Sequence, residues 1–238
     1  MQTIKFDKYT EAGAYHWIEC DRSSRNYNPP LEARYKVVVD KLGETKRALD
    51  VGCGDGYLIN LLRLRCEEAV GIEYDATGIE LAAAKLATYS NCNVIRASCY
   101  EIPFASRSFD AVLLADVIEH LPEPNRCLEE IGRVLTPEGA LFLTTPKWRP
   151  DRMWDKHHVK EYTPEELHDL LGLYFSDVQL SFFWPLRWSK WYSTKIGWRL
   201  IRHFARHVYN PFLREGLEAE HYGQILALCR QPRRPIEG

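Results

Sequence analysis

The sequence predicts an α/β fold in which a doubly wound, mostly parallel sheet of seven strands carries helices on both faces. Two observations indicate this class. Short apolar runs alternate along the chain with stretches of helical periodicity, as in proteins that join parallel strands by crossover helices. The first strand-like run, 47–51, leads directly into glycines at positions 52, 54 and 56 and then into a helical stretch, 57–64.

The remaining elements follow in chain order. Asn28-Pro29-Pro30 begins a helix, because proline suits the first helical turn, and Gly43 ends it. A capping box at Thr163-Pro164-Glu165-Glu166 begins a later helix. Two more helices are predicted at 77–88 and 125–134, and a turn at Thr136-Pro137-Glu138-Gly139. The other predicted strands span 69–73, 93–96, 109–115, 140–145, 178–183 and 222–229.

The glycine-rich loop is the best candidate for a ligand site. Glycine permits positive φ and, having no Cβ, lets a ligand lie against the backbone, while the following helix presents unpaired N–H groups. The G-x-G-x-G spacing is neither the dinucleotide pattern nor a P-loop. Asp50 precedes the loop, and Glu73 ends the next strand, where a carboxylate is placed to accept both hydroxyls of a ribose. A plain turn between strand and helix is the alternative.

Leu49-Asp50-Val51-Gly52-Cys53-Gly54-Asp55-Gly56 resembles the first motif of the class I S-adenosylmethionine-dependent methyltransferases. The resemblance continues through Glu73, Phe109-Asp110-Ala111-Val112 and the stretch 135–141, and it covers roughly residues 30–180. It implies a Rossmann-like methyltransferase fold with an antiparallel last strand, S-adenosylmethionine as cofactor and S-adenosylhomocysteine as product. The cofactor-binding residues that it implies are Asp50, Gly52, Cys53, Gly54, Gly56, Glu73, Tyr74, Ser98, Cys99, Tyr100, Ala115 and Asp116.

One of these positions departs from the family pattern. Relatives often carry an acidic residue where Ser98 stands, to meet the adenine amine, and serine can still hydrogen-bond there. The resemblance places Cys99 and Tyr100 beside the adenine ring.

Composition sets the broad class. The formal net charge is −2, which as a property of the whole chain argues neither for nor against a nucleic-acid partner. Seven cysteines, an odd number with no C-x-x-C, indicate a reducing compartment. No apolar signal-peptide core and no apolar window long enough to span a membrane is present, so we expect a cytoplasmic protein.

Two segments are expected to cover the site. The arm, residues 1–28, is polar and aromatic, and it precedes the core, 29–183. The insertion, residues 184–221, separates the last two strands and precedes the last strand and tail, 222–238. The insertion has no acidic residue before Glu215; Lys195, Arg199, Arg202 and Arg206 predict a basic helix face beside an apolar stripe of Ile196, Leu200, Phe204 and Val208. The residues expected to line a substrate lid are Tyr15, Trp17, Trp188, Trp191, Tyr192 and Arg199.

The insertion has three interpretations. It is a lid over an anionic substrate, a helix that lies through 184–214 on an anionic membrane surface, or a peripheral helix pair with a solvated basic face.

Two polar stretches carry the candidate catalytic groups. In the first, Asp116, Glu119 and His120 share one face if a helical turn begins at Asp116. The second includes His158. His158 is the preferred general base and His120 the second choice, with Glu119 as a further catalytic candidate. Asp116, Glu119, His120 and His158 could instead hold Mg²⁺ or Mn²⁺, or have purely structural roles.

The metal alternative rests on a second resemblance. Metal-assisted O-methyltransferases of the quinone-pathway catechol type and of the small-RNA 3′-terminal 2′-O type read Glu-x-x-Glu-His at the first stretch, where this chain has Asp116 in place of the first Glu. The small-RNA type also has a histidine at the position of His158.

The sequence therefore predicts methyl transfer to an oxygen, less readily a nitrogen, of a small-molecule, glycan or lipid-linked acceptor that is anionic. The acceptor's identity and the oligomeric state are not encoded in any recognisable pattern. Two alternatives stay open: a metal-assisted RNA 2′-O-methyltransferase, in which arginines and aromatics of the insertion stack on bases, and a non-catalytic regulatory module that binds S-adenosylmethionine.

Overall fold

The computed structural model describes residues 8–150 and 156–233. Residues 1–7 of the predicted arm and 234–238 of the predicted tail lie outside the described residues. The strands are β1 (Thr45–Val51), β2 (Cys66–Glu73), β3 (Cys92–Arg96), β4 (Phe109–Ala115), β5 (Leu135–Pro146), β6 (Phe175–Pro185) and β7 (Tyr222–Pro232). The helices are α1 (Lys8–Ala12), α2 (Tyr15–Glu19), α3 (Pro29–Lys41), α4 (Tyr57–Leu62), α5 (Ala76–Leu86), α6 (Pro124–Val134), α7 (Pro164–Gly172), α8 (Leu186–Tyr192) and α9 (Lys195–His207). Short 3₁₀ turns lie at Ile118–His120, Pro211–Leu213 and Ala219–His221.

All seven strands form one sheet in the order β3-β2-β1-β4-β5-β7-β6. The pairs among β1 to β5 are parallel, and β7 runs antiparallel to both of its neighbours, β5 and β6. The predicted fold class and the antiparallel last strand are confirmed. Successive strands proceed in opposite directions from β1 and β4, so a crevice opens at the carboxyl ends of these two strands, where ligands bind in open α/β sheets.

The sheet has an apolar core on each face. Neighbouring residues of a strand point to opposite faces. Ala48 therefore packs with the side of the sheet covered by α3 and α4, while Leu49 packs with the side covered by α6 and α7. Both side chains are fully buried. This two-sided burial explains why the first strand reads as a continuous apolar run instead of an alternating one.

The predicted helix starts are confirmed. Asn28 caps α3, its side chain accepting a hydrogen bond from the Leu31 N–H. Thr163 and Glu166 form the capping box of α7. The turn predicted at 136–139 is different: β5 already begins at Leu135, which pairs with Phe109, and a shift of register between Phe109 and Ala111 absorbs the extra residues.

The insertion packs on the arm and on α3. The guanidinium groups of Arg202 and Arg206 donate to the backbone oxygens of Arg25 and Ser24. The Asn210 side-chain amide donates to the Pro29 oxygen (2.8 Å) and to Glu32 Oε2 (2.9 Å). Arg202 and Arg206 therefore do not belong to a solvated basic face, which the third interpretation of the insertion requires of all four cations. Backbone oxygens in the non-helical part of the arm need donors, and these two long side chains supply them.

No helix within 8–150 or 156–233 combines the length and the apolar character needed to cross a bilayer.

Candidate functional site

The glycine loop connects β1 to α4 at the carboxyl edge of the sheet. Gly52, Gly54 and Gly56 have φ values of +80°, +52° and +78°, a region in which side chains with a Cβ are strained. A Cβ on Gly52 would also come within 2.7 Å of Val117 Cγ2, just beyond the end of β4. The loop and the end of β4 are thus adjacent, and the glycines are required by backbone geometry as well as by close packing.

Glu73 is fixed against this loop by two backbone groups. The Gly54 N–H donates to its Oε2 (2.9 Å) and the Asp75 N–H to its Oε1 (2.8 Å). Burial raises the pKa of Glu73, and these hydrogen bonds act in the opposite direction. A carboxylate oxygen accepts more than one hydrogen bond, so both oxygens retain capacity for the two hydroxyls of a ribose.

Asp50, in β1 just before the loop, is the second acidic group beside the glycines. Its hydrogen bonding differs from that of Glu73. It is buried, and its Oδ2 has no hydrogen-bond partner among the described residues. Burial and the neighbouring Glu73 raise the pKa of Asp50 to about 8. It lines a cavity of about 20 Å³ together with Gly52, Cys53 and Ala115. A buried carboxylate with an unused oxygen fits a cationic ligand group, which would restore its charged form.

The described part of the arm covers the loop. The Tyr9 hydroxyl lies against the point where a Cβ on Gly54 would stand. His16 contacts the Asp55 carboxylate through both its backbone N–H (3.1 Å) and its Nδ1 (3.0 Å). Trp17 Nε1 donates to the backbone oxygen of Asp55 (2.8 Å). Tyr15 stacks beside Tyr9, with ring centroids 6.0 Å apart.

The remaining predicted cofactor residues lie on the β2–β3 side of the loop. Tyr74 is 61% exposed. Ser98 Oγ accepts from the Tyr100 N–H (3.2 Å), and the Tyr100 hydroxyl accepts from the Glu123 N–H (3.4 Å). A hydrogen bond between the thiols of Cys99 and Cys127 lowers the pKa of Cys99 and raises that of Cys127.

The first polar stretch does not form the predicted helical face. Asp116 has φ +52°, and the 3₁₀ turn begins only at Ile118. The Asp116 carboxylate accepts from Thr144 Oγ1 (2.9 Å) and pairs with Arg34 Nη1 (2.8 Å). The condition for a shared face, a helical turn that begins at Asp116, is therefore not met, and Asp116 contributes no atom to the cluster of ligand atoms formed by Glu119 and His120.

The structure brings the other three candidates together. Glu119, His120 and His158 offer ligand atoms that all lie within 4.8 Å of one another. The two stretches are joined because the Glu119 backbone oxygen accepts from the N–H groups of Val159 (2.7 Å) and Lys160 (3.1 Å). The two imidazole centroids are 4.8 Å apart.

His158 has the geometry of a general base. Its Nδ1 lies 2.9 Å from Glu161 Oε1, and both side chains are largely buried. A carboxylate at Nδ1 favours the tautomer that carries its proton there, which leaves the lone pair of Nε2 available to accept a proton. His120 Nδ1 instead contacts the backbone oxygen of His157 (3.2 Å).

The surroundings of Glu119 favour the protonated, neutral form of its carboxyl group. It is buried, accepts a hydrogen bond from Thr145 Oγ1 (2.9 Å), and has a pKa raised well above its usual value by burial and by Asp116. Mg²⁺ prefers an octahedron of oxygen ligands. Two imidazoles and one carboxyl supply fewer oxygen ligands than this preference asks for, so the Mg²⁺ prediction finds no support here.

The insertion supplies none of the residues that line the loop cavity. Trp188 and Tyr192 pack with the small apolar cluster of Ala33, Ile201 and Phe212, whereas Trp191 and Arg199 are exposed. Its contact with the site runs through Trp184, whose ring lies 5.2 Å from the Arg34 guanidinium that pairs with Asp116.

Sequence reasoning missed the contributions of Asp55 and Arg34, and it expected Tyr9 and His16 over the site only as part of the aromatic arm. Asp55 stands between two of the loop glycines, which was a signal for a structural or binding role. Its pairing with His16, 39 residues earlier, has no local signature.

Residues 49–143 match the family described as "Methyltransferase domain". A probable S-adenosylmethionine-dependent methyltransferase of Mycobacterium tuberculosis is 32% identical over 146 residues, which are 58% of this chain and 52% of that protein. The chain thus spans about half the length of this relative. The ubiquinone biosynthesis O-methyltransferase of Saccharophagus degradans is 28% identical over 71% of this chain and 74% of its own.

The fold is shared with solved methyltransferases. A Haloferax volcanii protein solved in complex with the Trm112 methyltransferase activator superposes with a TM-score of 0.67 over 96% of this chain and 98% of its own, at 16% identity. At this identity the likeness establishes the fold alone.

Proposed function

We propose that this chain is a class I S-adenosylmethionine-dependent methyltransferase and that it moves the methyl group of S-adenosylmethionine to a hydroxyl oxygen of a small anionic acceptor. The observation that carries the choice of oxygen is the His158–Glu161 pair. A base is needed when the acceptor is a protonated hydroxyl, and this pair lies at the same sheet edge as the glycine loop.

The residues around the loop fit the cofactor. Glu73 has two oxygens, fixed by backbone donors, for the ribose hydroxyls. The unpaired Oδ2 of buried Asp50 suits the ammonium of the methionine part. The glycines allow the nucleoside to approach the backbone. Bound S-adenosylmethionine supplies an electrophilic methyl carbon for an in-line displacement.

His158 and Glu161 would handle the proton. His158 Nε2 takes it from the acceptor hydroxyl as the oxygen attacks, and Glu161 stabilises the imidazolium that results. Holding the acceptor oxygen in line supplies much of the remaining acceleration.

Basic groups beside the site support an anionic acceptor. Lys147 and Arg149 follow β5 at its carboxyl end. The pKa of Lys147 is lowered by burial and then by the charge of Arg149, so the two cations are close enough to interact. Lys147 Nζ directs one of its three donors at the Ala219 oxygen (2.5 Å), and an anionic acceptor would take another.

The direct test is transfer of labelled methyl from S-adenosylmethionine into cell extract by the purified chain, with EDTA or with added Mg²⁺ or Mn²⁺. Products are separated into lipid, nucleic-acid and small polar fractions. Label in a small polar or lipid fraction in the presence of EDTA is the expected result. Label in nucleic acid that requires the metal would establish the RNA alternative. Binding of S-adenosylhomocysteine without transfer to any fraction would favour the regulatory module.

The pKa of Asp50 predicts that cofactor binding releases a proton. With a pKa of about 8, Asp50 is mostly protonated at pH 7 in the free protein. An ammonium beside it favours the ionised form, so binding lowers this pKa and expels the proton. We expect the affinity for S-adenosylhomocysteine to rise between pH 6 and pH 8, and up to about one proton to be released at pH 7. Calorimetry in buffers of different ionisation heat measures this number.

The matched control is Asp40→Asn, at an exposed aspartate of α3. Asp50→Asn should bind with no proton release and with a flat pH profile, while Asp40→Asn should behave as the unmodified chain does. Proton release that persists in Asp50→Asn would assign it to another group.

A further inference from the structure

The outer face of α9 is apolar. The residues of α9 that are buried against the rest of the protein are Gly197, Ile201, Arg202 and Ala205. Ile196, Leu200 and Phe204, each one turn from the next, are instead 72%, 52% and 42% exposed. Soluble helices usually present the opposite pattern, with the large apolar side chains inward. An exposed apolar stripe of this kind marks an interaction surface.

Further large apolar side chains, two of them aromatic, extend the stripe at its two ends. Trp191 of α8 is 42% exposed, and Val208 and Tyr209, after α9, are 69% and 47% exposed. Tryptophan and tyrosine favour the boundary between headgroups and acyl chains, because their rings are apolar and carry one polar group.

The surface is also strongly basic. Residues 184–214 contain seven lysines and arginines and no acidic residue. Because the whole chain has a net charge of −2, the remainder carries −9, so positive charge is concentrated in this segment. Arg202 and Arg206 are engaged with the arm, while Lys190, Lys195 and Arg199 are exposed around the stripe.

We propose that the α8–α9 face, consisting of Lys190, Trp191, Lys195, Ile196, Arg199, Leu200, Phe204 and Val208, docks in plane on an anionic lipid bilayer. The helix is 13 residues long, about 20 Å. It would lie in the interface with its apolar stripe below the headgroups and its cations on the lipid phosphates. The inference goes beyond the proposed activity and does not depend on it.

Charge complementarity selects this occupant. A second copy of the chain would bring the same cations against Lys195 and Arg199, because a two-fold contact pairs a patch with itself. An anionic bilayer neutralises these charges while it buries the stripe.

The test is cosedimentation with vesicles of phosphatidylcholine alone or mixed with phosphatidylglycerol. The chain should bind the mixed vesicles and not the neutral ones, and added salt should weaken the binding. Leu200→Ser with Phe204→Ser should reduce partitioning by about a hundredfold, about tenfold for each apolar side chain. Lys195→Gln with Arg199→Gln should reduce it by about twentyfold.

Matched controls lie elsewhere on the surface. Leu64→Ser with Leu173→Ser removes two side chains that are 68% and 65% exposed. Lys46→Gln with Arg65→Gln removes two exposed charges. Neither pair should affect vesicle binding. The proposal is overturned if the unmodified chain ignores anionic vesicles, binds neutral ones equally, loses as much binding in the controls, or forms a dimer in solution that the Leu200 and Phe204 changes abolish. All these sites are exposed, so each variant should fold as the unmodified chain does. The melting temperature of each variant verifies this.

Discussion

Replacing Glu73 with alanine is expected to weaken binding of S-adenosylhomocysteine by a factor of about a hundred or more. The variant loses two hydrogen bonds from ribose hydroxyls to a carboxylate, each contributing about 1.5–3 kcal/mol. It also removes the acceptor that fixes the Gly54 N–H, so the loop loses part of its preorganisation. Isothermal titration calorimetry measures the affinity.

The control for this variant comes from the same strand. Glu67 of β2 is exposed, so Glu67→Ala removes an equal charge away from the loop. The two variants are compared by the increase in melting temperature that the ligand causes, which only Glu73→Ala should lose. If Glu73→Ala binds normally, the ribose does not lie at the end of β2.

Replacing His158 with alanine is expected to reduce the turnover number by about 10²–10⁴ and to leave the affinity for S-adenosylhomocysteine nearly unchanged. The imidazole would accept a proton only during the reaction, so its loss raises the barrier without affecting the ground-state complex. Steady-state kinetics with the acceptor found by label transfer, together with calorimetry, separates the two effects.

His168→Ala is the matched control, because His168 lies exposed on α7. It should retain full activity. Glu161 is a positioning residue. Glu161→Gln should shift the acidic limb of the pH–rate profile to lower pH, since an amide stabilises the imidazolium less than a carboxylate does. Equal losses of turnover and cofactor affinity in His158→Ala would give this histidine a structural role.

The loop was predictable from sequence because its determinants are local. Glycines at 52, 54 and 56 follow a buried strand within a few residues, and the backbone dihedrals demanded of them are those that glycine favours. The helix starts at Asn28 and Thr163 were predictable for the same reason, since a capping side chain and the backbone N–H that donates to it lie within one turn.

The failures concern residues whose neighbours lie far away in the chain. Asp116 was expected on a helical face from its spacing to Glu119, yet Arg34, 82 residues earlier, pairs with it. Arg202 and Arg206 fit an exposed basic face by periodicity, yet they donate to backbone oxygens about 180 residues earlier. Helical spacing gives the relative orientation of these side chains but not the direction in which the body of the protein lies.

The sheet order has a consequence for synthesis of the chain. β6 pairs only with β7 among the described strands, and β7 lies between it and β5. When the ribosome has completed β6, at Pro185, the strand that joins it to the sheet begins only at Tyr222. At about 5–20 residues per second, this interval lasts roughly 2–7 seconds. During it the nascent chain exposes the edges of two strands as well as the apolar side chains of α9, so its risk of aggregation is greatest just before the sheet closes.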